Sequence, residues 1–209
     1  MTLRLLLIAL VSCCAMLVVG ALVSTRPPGA LDQAAVALRG HGVPLALFFT
    51  SLGRWYVLLP IGVLAVGLAM TLRANVMPVL VVIAAQVISQ ALNALVKLGF
   101  HRVRPNGFLG PHEPDLSFPS GHAVTAIVFF VGLAILAWHA PFPRAVDALL
   151  AIALSACAAG IAWSRLALGA HYATDVLGGL LLGTATLCAA FAVIVRYAAP
   201  AASLTTAVR

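Results

Sequence analysis

Three short polar segments interrupt an otherwise apolar chain, and their side chains are of the kinds that hold and transfer phosphate. The first, Lys97-Leu-Gly-Phe-His-Arg-Val-Arg104-Pro105, presents two cations from the end of an apolar run and the loop after it. The second, Pro119-Ser120-Gly121-His122, has the form of a helix start, where backbone N–H groups and the helix dipole favour an anion. The third runs from Ser164-Arg165 to His171-Tyr-Ala-Thr-Asp175 and sets a histidine and a carboxylate four residues apart, close enough to touch on a helix. Cations arranged around a histidine suit phosphoryl transfer, in which positioning and charge stabilisation do most of the work. Each segment alone has a plain structural explanation as well. A lysine at the end of a span snorkels to the headgroups, and a Pro-Ser-Gly start is an ordinary cap. Asp175 is harder to dismiss, because an unpaired carboxylate at the head of an apolar span is costly to bury.

The elements that position these segments are membrane spans. Hydrophobic residues make up 63% of the chain and charged residues 8%, against roughly a quarter charged in soluble domains. Long apolar runs predict an all-α polytopic protein with six transmembrane helices, at about 5–24, 55–72, 76–96, 119–138, 145–164 and 173–195. The 209 residues are used up by these spans and their loops, so 1–209 is expected to be a single domain. Arg4 followed by nineteen apolar or small residues, Leu5 to Val23, resembles a signal peptide; the run is too long for a signal core and reads as the first span. Between the first two spans, Leu31, Ala35 and Leu38 fall on one face of a short interfacial helix.

A chain changes sides once per span, so all three polar segments come to one face of a six-helix bundle. Arg4, Arg73, Arg144, Arg196 and Arg209 fall on the opposite, terminal side, against Arg26, Arg39, Arg54 and Arg102 on the site side. Five against four leans towards cytoplasmic termini and a site facing the periplasm or exterior. The net charge of +7 is scattered rather than run together, which points to anionic lipid or a phosphate-bearing substrate and not to nucleic acid. Cys13, Cys14, Cys157 and Cys188 lie in apolar stretches as small hydrophobes. Two-metal phosphatases need clustered carboxylates, and with only Asp32, Glu113, Asp115, Asp147 and Asp175 no metal or other cofactor is expected. Glu113 and Asp115 read as solvated loop charges. Gln86, Gln90, Asn93 and Lys97 share one face of the third span, a pattern that suits interhelical hydrogen bonds or a polar approach to a headgroup. Gly179 and Gly183 form a small-xxx-small pair suited to close packing within the bundle.

The ordered set Lys97-x6-Arg104-Pro105, Pro119-Ser120-Gly121-His122 and Ser164-Arg165-x5-His171-x3-Asp175 resembles the type 2 phosphatidic acid phosphatase superfamily, from about Thr50 to the end of the sixth span. That superfamily shares its site with soluble vanadium haloperoxidases. The resemblance implies that His171 is the nucleophile, Asp175 its orienter and His122 the general acid. It implies that Lys97, Arg104, Ser120, Gly121 and Arg165 hold the phosphate. The activity implied is hydrolysis of a membrane lipid phosphate through a phosphohistidine, and the motifs do not choose one lipid: phosphatidate, phosphatidylglycerol phosphate, undecaprenyl pyrophosphate and lipid A 1-phosphate share the group they bind. A bacterial inner membrane is the expected location. A lipid phosphotransferase using the same histidine, or a non-catalytic transporter or scaffold with a phosphate pocket, are the alternatives; oligomeric state is not encoded in these patterns.

Overall fold

The computed structural model describes residues 1–110, 113 and 115–204, with side chains as far as Arg196. The described residues form helices α1 (Thr2–Val23), α2 (Ala30–Ala35), α3 (Val43–Leu52), α4 (Trp55–Thr71), α5 (Met77–Phe100), α6 (Gly121–Thr125), α7 (Gly132–Trp138), α8 (Arg144–Ala167) and α9 (Ala173–Leu204). A 3-10 turn, Val36–Leu38, extends α2, and a π-helical stretch, Ala126–Val131, joins α6 to α7 as one continuous rod. Helix is the form these apolar runs must take in lipid, because it satisfies every backbone polar group within the segment. Sequence punctuation sets the ends. Asn75 Oδ1 accepts from Met77 N at 3.0 Å, Pro78 follows in the first turn, and α5 stops at His101, which is left-handed with φ 51°.

Among the described residues, five helices are long and apolar enough to cross a membrane, and α4 adds a shorter apolar helix of 17 residues. The chain is an integral membrane protein. The expected spans reappear with two shifts that matter. α5 runs on to Phe100 and α8 to Ala167, so Lys97 and Arg165 lie inside final helical turns and do not end their spans. Both side chains are buried against ionic partners, so neither has to interrupt its helix to reach water.

The short helix expected near Leu31 is α2 with its 3-10 extension, and Leu31 and Leu38 are exposed on it. The α3 helix was not anticipated. It bends by 112° from the preceding helix. Asp32 on α2 touches Thr174 at the start of α9, while Thr50 near the end of α3 touches Arg165 near the end of α8. Both ends of the bent pair therefore sit at the same end of the bundle as the site.

Small residues let the rods approach closely. A Cβ on Gly179 would stand 2.4 Å from the Ser120 carbonyl oxygen, and one on Gly183 would stand 2.8 Å from Ile127 Cβ. The glycine pair thus seats α9 against α6 and the π-helical stretch. At Gly20 a Cβ would meet the Phe100 ring at 2.5 Å, which brings α1 against the aromatic pair Phe100 and Phe118. Met16, Phe118, Val124, Val128 and Leu182 complete the core under the site. Without water to drive helices together, such close van der Waals packing is what associates them in lipid.

Candidate active site

The three polar segments meet where α5, α6, α8 and α9 end or begin. A cavity of about 940 Å³ is lined there by Lys97, Arg104, Gly121, His122 and His171 among others. Ser120, Arg165 and Asp175 are fully buried behind that lining. The cavity continues downwards between α4 and α5 along Leu59, Val63, Ile83 and Val87, so a charged head is joined to an apolar groove.

His171 lies in the turn before α9. Arg104 Nη1 is 3.0 Å from its Nε2. A guanidinium can only donate, so Nε2 is the acceptor and the ring proton sits on Nδ1. Nδ1 faces Asp175 Oδ2 at 3.6 Å and Ser117 Oγ at 3.4 Å. Ser117 Oγ in turn donates to Asp175 Oδ2 at 2.5 Å. The expected touch between His171 and Asp175 is therefore not a direct hydrogen bond on one helix. His171 precedes the helix, and Ser117 bridges the pair. Burial first, and then the cations Arg165, Arg104 and Lys97, push the His171 imidazole well below its usual range, which favours its neutral form.

Asp175 is itself held from the other side. Its Oδ1 accepts from Arg102 Nη1 at 2.7 Å and its Oδ2 from Tyr172 N at 2.8 Å. Arg102 Nη2 donates to Asp32 Oδ2 at 2.8 Å, and Asp32 Oδ1 accepts from Thr174 N at 2.9 Å. Arg102 also lies 4.4 Å over the Tyr172 ring. Arg102, counted among the arginines of the site side outside the site, belongs to its support: it is 4% exposed and clamped between two buried carboxylates. Asp32, 2% exposed, figures in the sequence reading only in the count of carboxylates, with no role assigned to it.

The cations meet an acidic loop. Asp115 Oδ2 is 2.5 Å from Lys97 Nζ, and Asp115 Oδ1 accepts from Arg104 Nη2. Glu113 takes a bidentate pair of hydrogen bonds from Arg165 Nη2 at 2.8 and 2.7 Å and lies 2.9 Å from Arg104 Nη1. Glu113 and Asp115, read as solvated loop charges, pair with the three clustered cations: Asp115 keeps its exposure to solvent, while Glu113 is largely covered. Burial alone would raise the Asp115 carboxyl; the hydrogen bond and charge of Lys97, with Arg104, outweigh it and hold the group below its usual value.

His122 lies against Gly53, where a Cβ would stand 2.5 Å from its Cδ2, so the α3–α4 link sets the ring position. Among the described residues, His122 Nε2, Ser120 Oγ and Arg165 Nε are buried without a hydrogen-bond partner. These three atoms could receive a ligand's oxygens, and Gln86 Oε1 and Asn93 Oδ1 are buried without a partner beside the same cavity. Gln86 and Gln90 make the expected interhelical bonds: Gln86 Nε2 donates to Thr125 Oγ1 at 2.8 Å and Gln90 Nε2 to the Gly121 carbonyl at 3.1 Å.

The model of the PAP2 superfamily matches residues 75–198. Phosphatidylglycerophosphatase B of Bacillus subtilis (strain 168) is 32% identical over 156 residues, 74% of this chain and 76% of that protein. A putative undecaprenyl-diphosphatase of Escherichia coli (strain K12) is 42% identical over 72 residues, 34% of this chain and 32% of that protein. The crystal structure of a transmembrane PAP2-type phosphatidylglycerolphosphate phosphatase from Bacillus subtilis superposes with a TM-score of 0.70 at 28% identity, covering 93% of this chain and 96% of that one.

Proposed function

The chain belongs to the PAP2 superfamily of phosphoric ester hydrolases, and from that premise we propose that it removes a terminal phosphate from a membrane lipid through a phosphohistidine on His171. The observation that carries this reading is the junction of a cationic, histidine-bearing chamber with an apolar groove in one cavity. Such a shape takes an amphiphile head-first. Trp55, Leu59, Val63 and Val87 on the rim of the groove are exposed, so its side opens towards the bilayer.

In the first step neutral His171 Nε2 forms a bond to phosphorus while the bond from phosphorus to the lipid oxygen breaks. His122 supplies the proton that the leaving oxygen needs. Lys97, Arg104 and Arg165 exchange Asp115 and Glu113 for the phosphoryl oxygens, with the Ser120 hydroxyl and the start of α6 beside them. Charge rises on the imidazole during attack, and Asp175 with Ser117 stabilises the Nδ1–H side. Water then attacks phosphorus, His122 takes a proton from it, and the bond to Nε2 breaks to release phosphate.

The proposed topology has six crossings. Both ends of the α2–α3 pair touch the site end, so the pair does not cross, and α4, about 25 Å long, makes the sixth passage. Withdrawing the buried Arg102 from the charge count leaves Arg26, Arg39 and Arg54 against Arg4, Arg73, Arg144 and Arg196 of the other side, Arg209 lying outside the described residues, which favours cytoplasmic termini.

Phosphate release by purified protein in lipid nanodiscs, with one phospholipid monoester supplied and His171→Ala as control, tests the reading. Release requiring His171, with acid-labile phosphate on the protein during turnover, is the expected result. Equal release by His171→Ala would refute the nucleophile. Release that begins only when a second acceptor lipid is added would indicate a phosphotransferase.

A further inference from the structure

The groove that receives the tails is not uniformly apolar. Asn93, Gln90 and Gln86 line it along one face of α5 below Lys97. Gln86 and Gln90 are tied through Nε2 to Thr125 and to the Gly121 carbonyl, which accounts for their place between helices. Asn93 makes no side-chain hydrogen bond among the described residues: it is 5% exposed, and its Oδ1, like Gln86 Oε1, is buried without a partner, while its Nδ2, unlike the Nε2 of either glutamine, is not tied to a neighbouring helix. Its Nδ2 lies 3.1 Å from where a Cβ on Gly121 would stand, beside the opening turn of α6. One helical turn, about 6 Å, separates it from Lys97.

Leaving a buried carboxamide unpaired costs about 1–3 kcal/mol, so a polar group in that position calls for a partner that arrives with the ligand. About 6 Å beyond the phosphate is where a lipid's linkage region begins. In a glycerolipid that region carries ester carbonyls or a hydroxyl; in an isoprenoid phosphate it is hydrocarbon. A half rotation of the amide exchanges its donor and acceptor ends, so Asn93 is able to serve either a carbonyl or a hydroxyl.

Resting on the phosphatase reading and extending it to substrate class, we propose that Asn93 receives the hydrogen-bonding linkage between phosphate and tails, and that the enzyme thereby selects lipids with such a linkage over isoprenoid phosphates. Asn93 touches the substrate outside the reacting atoms and acts as a specificity-determining residue.

The test compares kcat/KM of wild-type protein and Asn93→Leu in nanodiscs on four phosphomonoesters: a diacylglycerol phosphate, its dialkyl ether counterpart, a 1-alkyl-2-hydroxyl glycerol phosphate, and a polyprenyl phosphate. For the wild type we expect the diacyl or the 2-hydroxyl lipid to exceed the dialkyl and polyprenyl lipids by about tenfold, the factor of one hydrogen bond of about 1.4 kcal/mol. The arm that shows the preference identifies carbonyl or hydroxyl as the group bound. In Asn93→Leu the preference should fall to within about twofold. A wild-type preference near one overturns the inference without any variant, and so does a preference that survives in Asn93→Leu. Phosphate release from all four lipids at similar rates would refute this selectivity and leave the phosphatase reading intact, whereas no release from any of them would refute that reading and the inference together.

Discussion

Replacing Asp175 by asparagine removes one negative charge from a place where every neighbour is a donor. Asp175 Oδ2 stands 3.6 Å from His171 Nδ1. At an effective dielectric of about 20, a full charge on the imidazole would be stabilised there by about 4–5 kcal/mol. Attack on phosphorus develops part of that charge, and Arg102, 2.7 Å from Oδ1, draws off part of the carboxylate's field. Half the full value, about 2 kcal/mol, is a rate loss of about thirtyfold; the whole of it exceeds about a thousandfold. The kcat of Asp175→Asn should therefore fall by between about thirtyfold and about a thousandfold, with little change in KM, because Asp175 does not line the cavity. Its amide N–H₂ must also face Arg102 or else Ser117 and the Tyr172 N–H, which costs the folded state about 1–3 kcal/mol. Rapid-quench measurement of phosphoenzyme formation under single-turnover conditions reads the chemical step directly, and thermal unfolding in the same detergent reads stability. A burst rate within about threefold of wild type in a folded sample would refute the coupling between this carboxylate and charge on His171.

Asp32→Asn should lower the unfolding midpoint, with a stability loss of up to about 3 kcal/mol for breaking a buried ion pair, and should reduce kcat less than Asp175→Asn does. An unchanged midpoint would remove Asp32 from the support of Arg102. Gly53→Ala pushes a methyl group into the His122 ring, so hydrolysis of an alkyl phosphate should slow by about tenfold or more, and hydrolysis of a nitrophenyl phosphate, whose leaving group needs no proton, should slow much less. Equal losses on both substrates would show that the displaced ring does not serve as the acid. Because His171 must be neutral and its pKa is lowered, the acid limb of kcat/KM should lie below pH 6.5, the ordinary histidine value. Lys97 is one of the cations that lower it, so Lys97→Met should move that limb to higher pH in a pH–rate profile; movement to lower pH would contradict the sign.

The spans and the five motif cations and histidines were legible because each signal is local: a run of apolar residues, or a cluster within a dozen positions. Asp32 and Thr50 were not, since each makes its key contact across more than a hundred residues, to Thr174 and Arg165. The rule that flagged Asp175, the cost of burying an unpaired carboxylate, applies equally to Asp32 and would have found it. Ser117 carries no signal of its own beyond being a short hydroxyl residue near the second motif. The ion pairs of Glu113 and Asp115 were hidden because their loop carries no sign in one dimension of what it covers, while folding sets it over three cations whose mutual repulsion needs counter-charge. The α3 helix was hidden by its brevity, since ten residues are too few to register as a span.

The exposed rim of Trp55, Leu59, Val63 and Val87 determines how such an enzyme meets its substrate. A lipid entering sideways arrives by diffusion in two dimensions, so its effective concentration is a mole fraction of the leaflet and not a molarity. Adding vesicles of the same composition leaves turnover per enzyme unchanged, while diluting the substrate with inert lipid at constant bulk concentration lowers it. The two products then part company. Phosphate escapes into water, but the dephosphorylated lipid stays in the leaflet, facing the same open side, and competes for the groove until another membrane reaction consumes it.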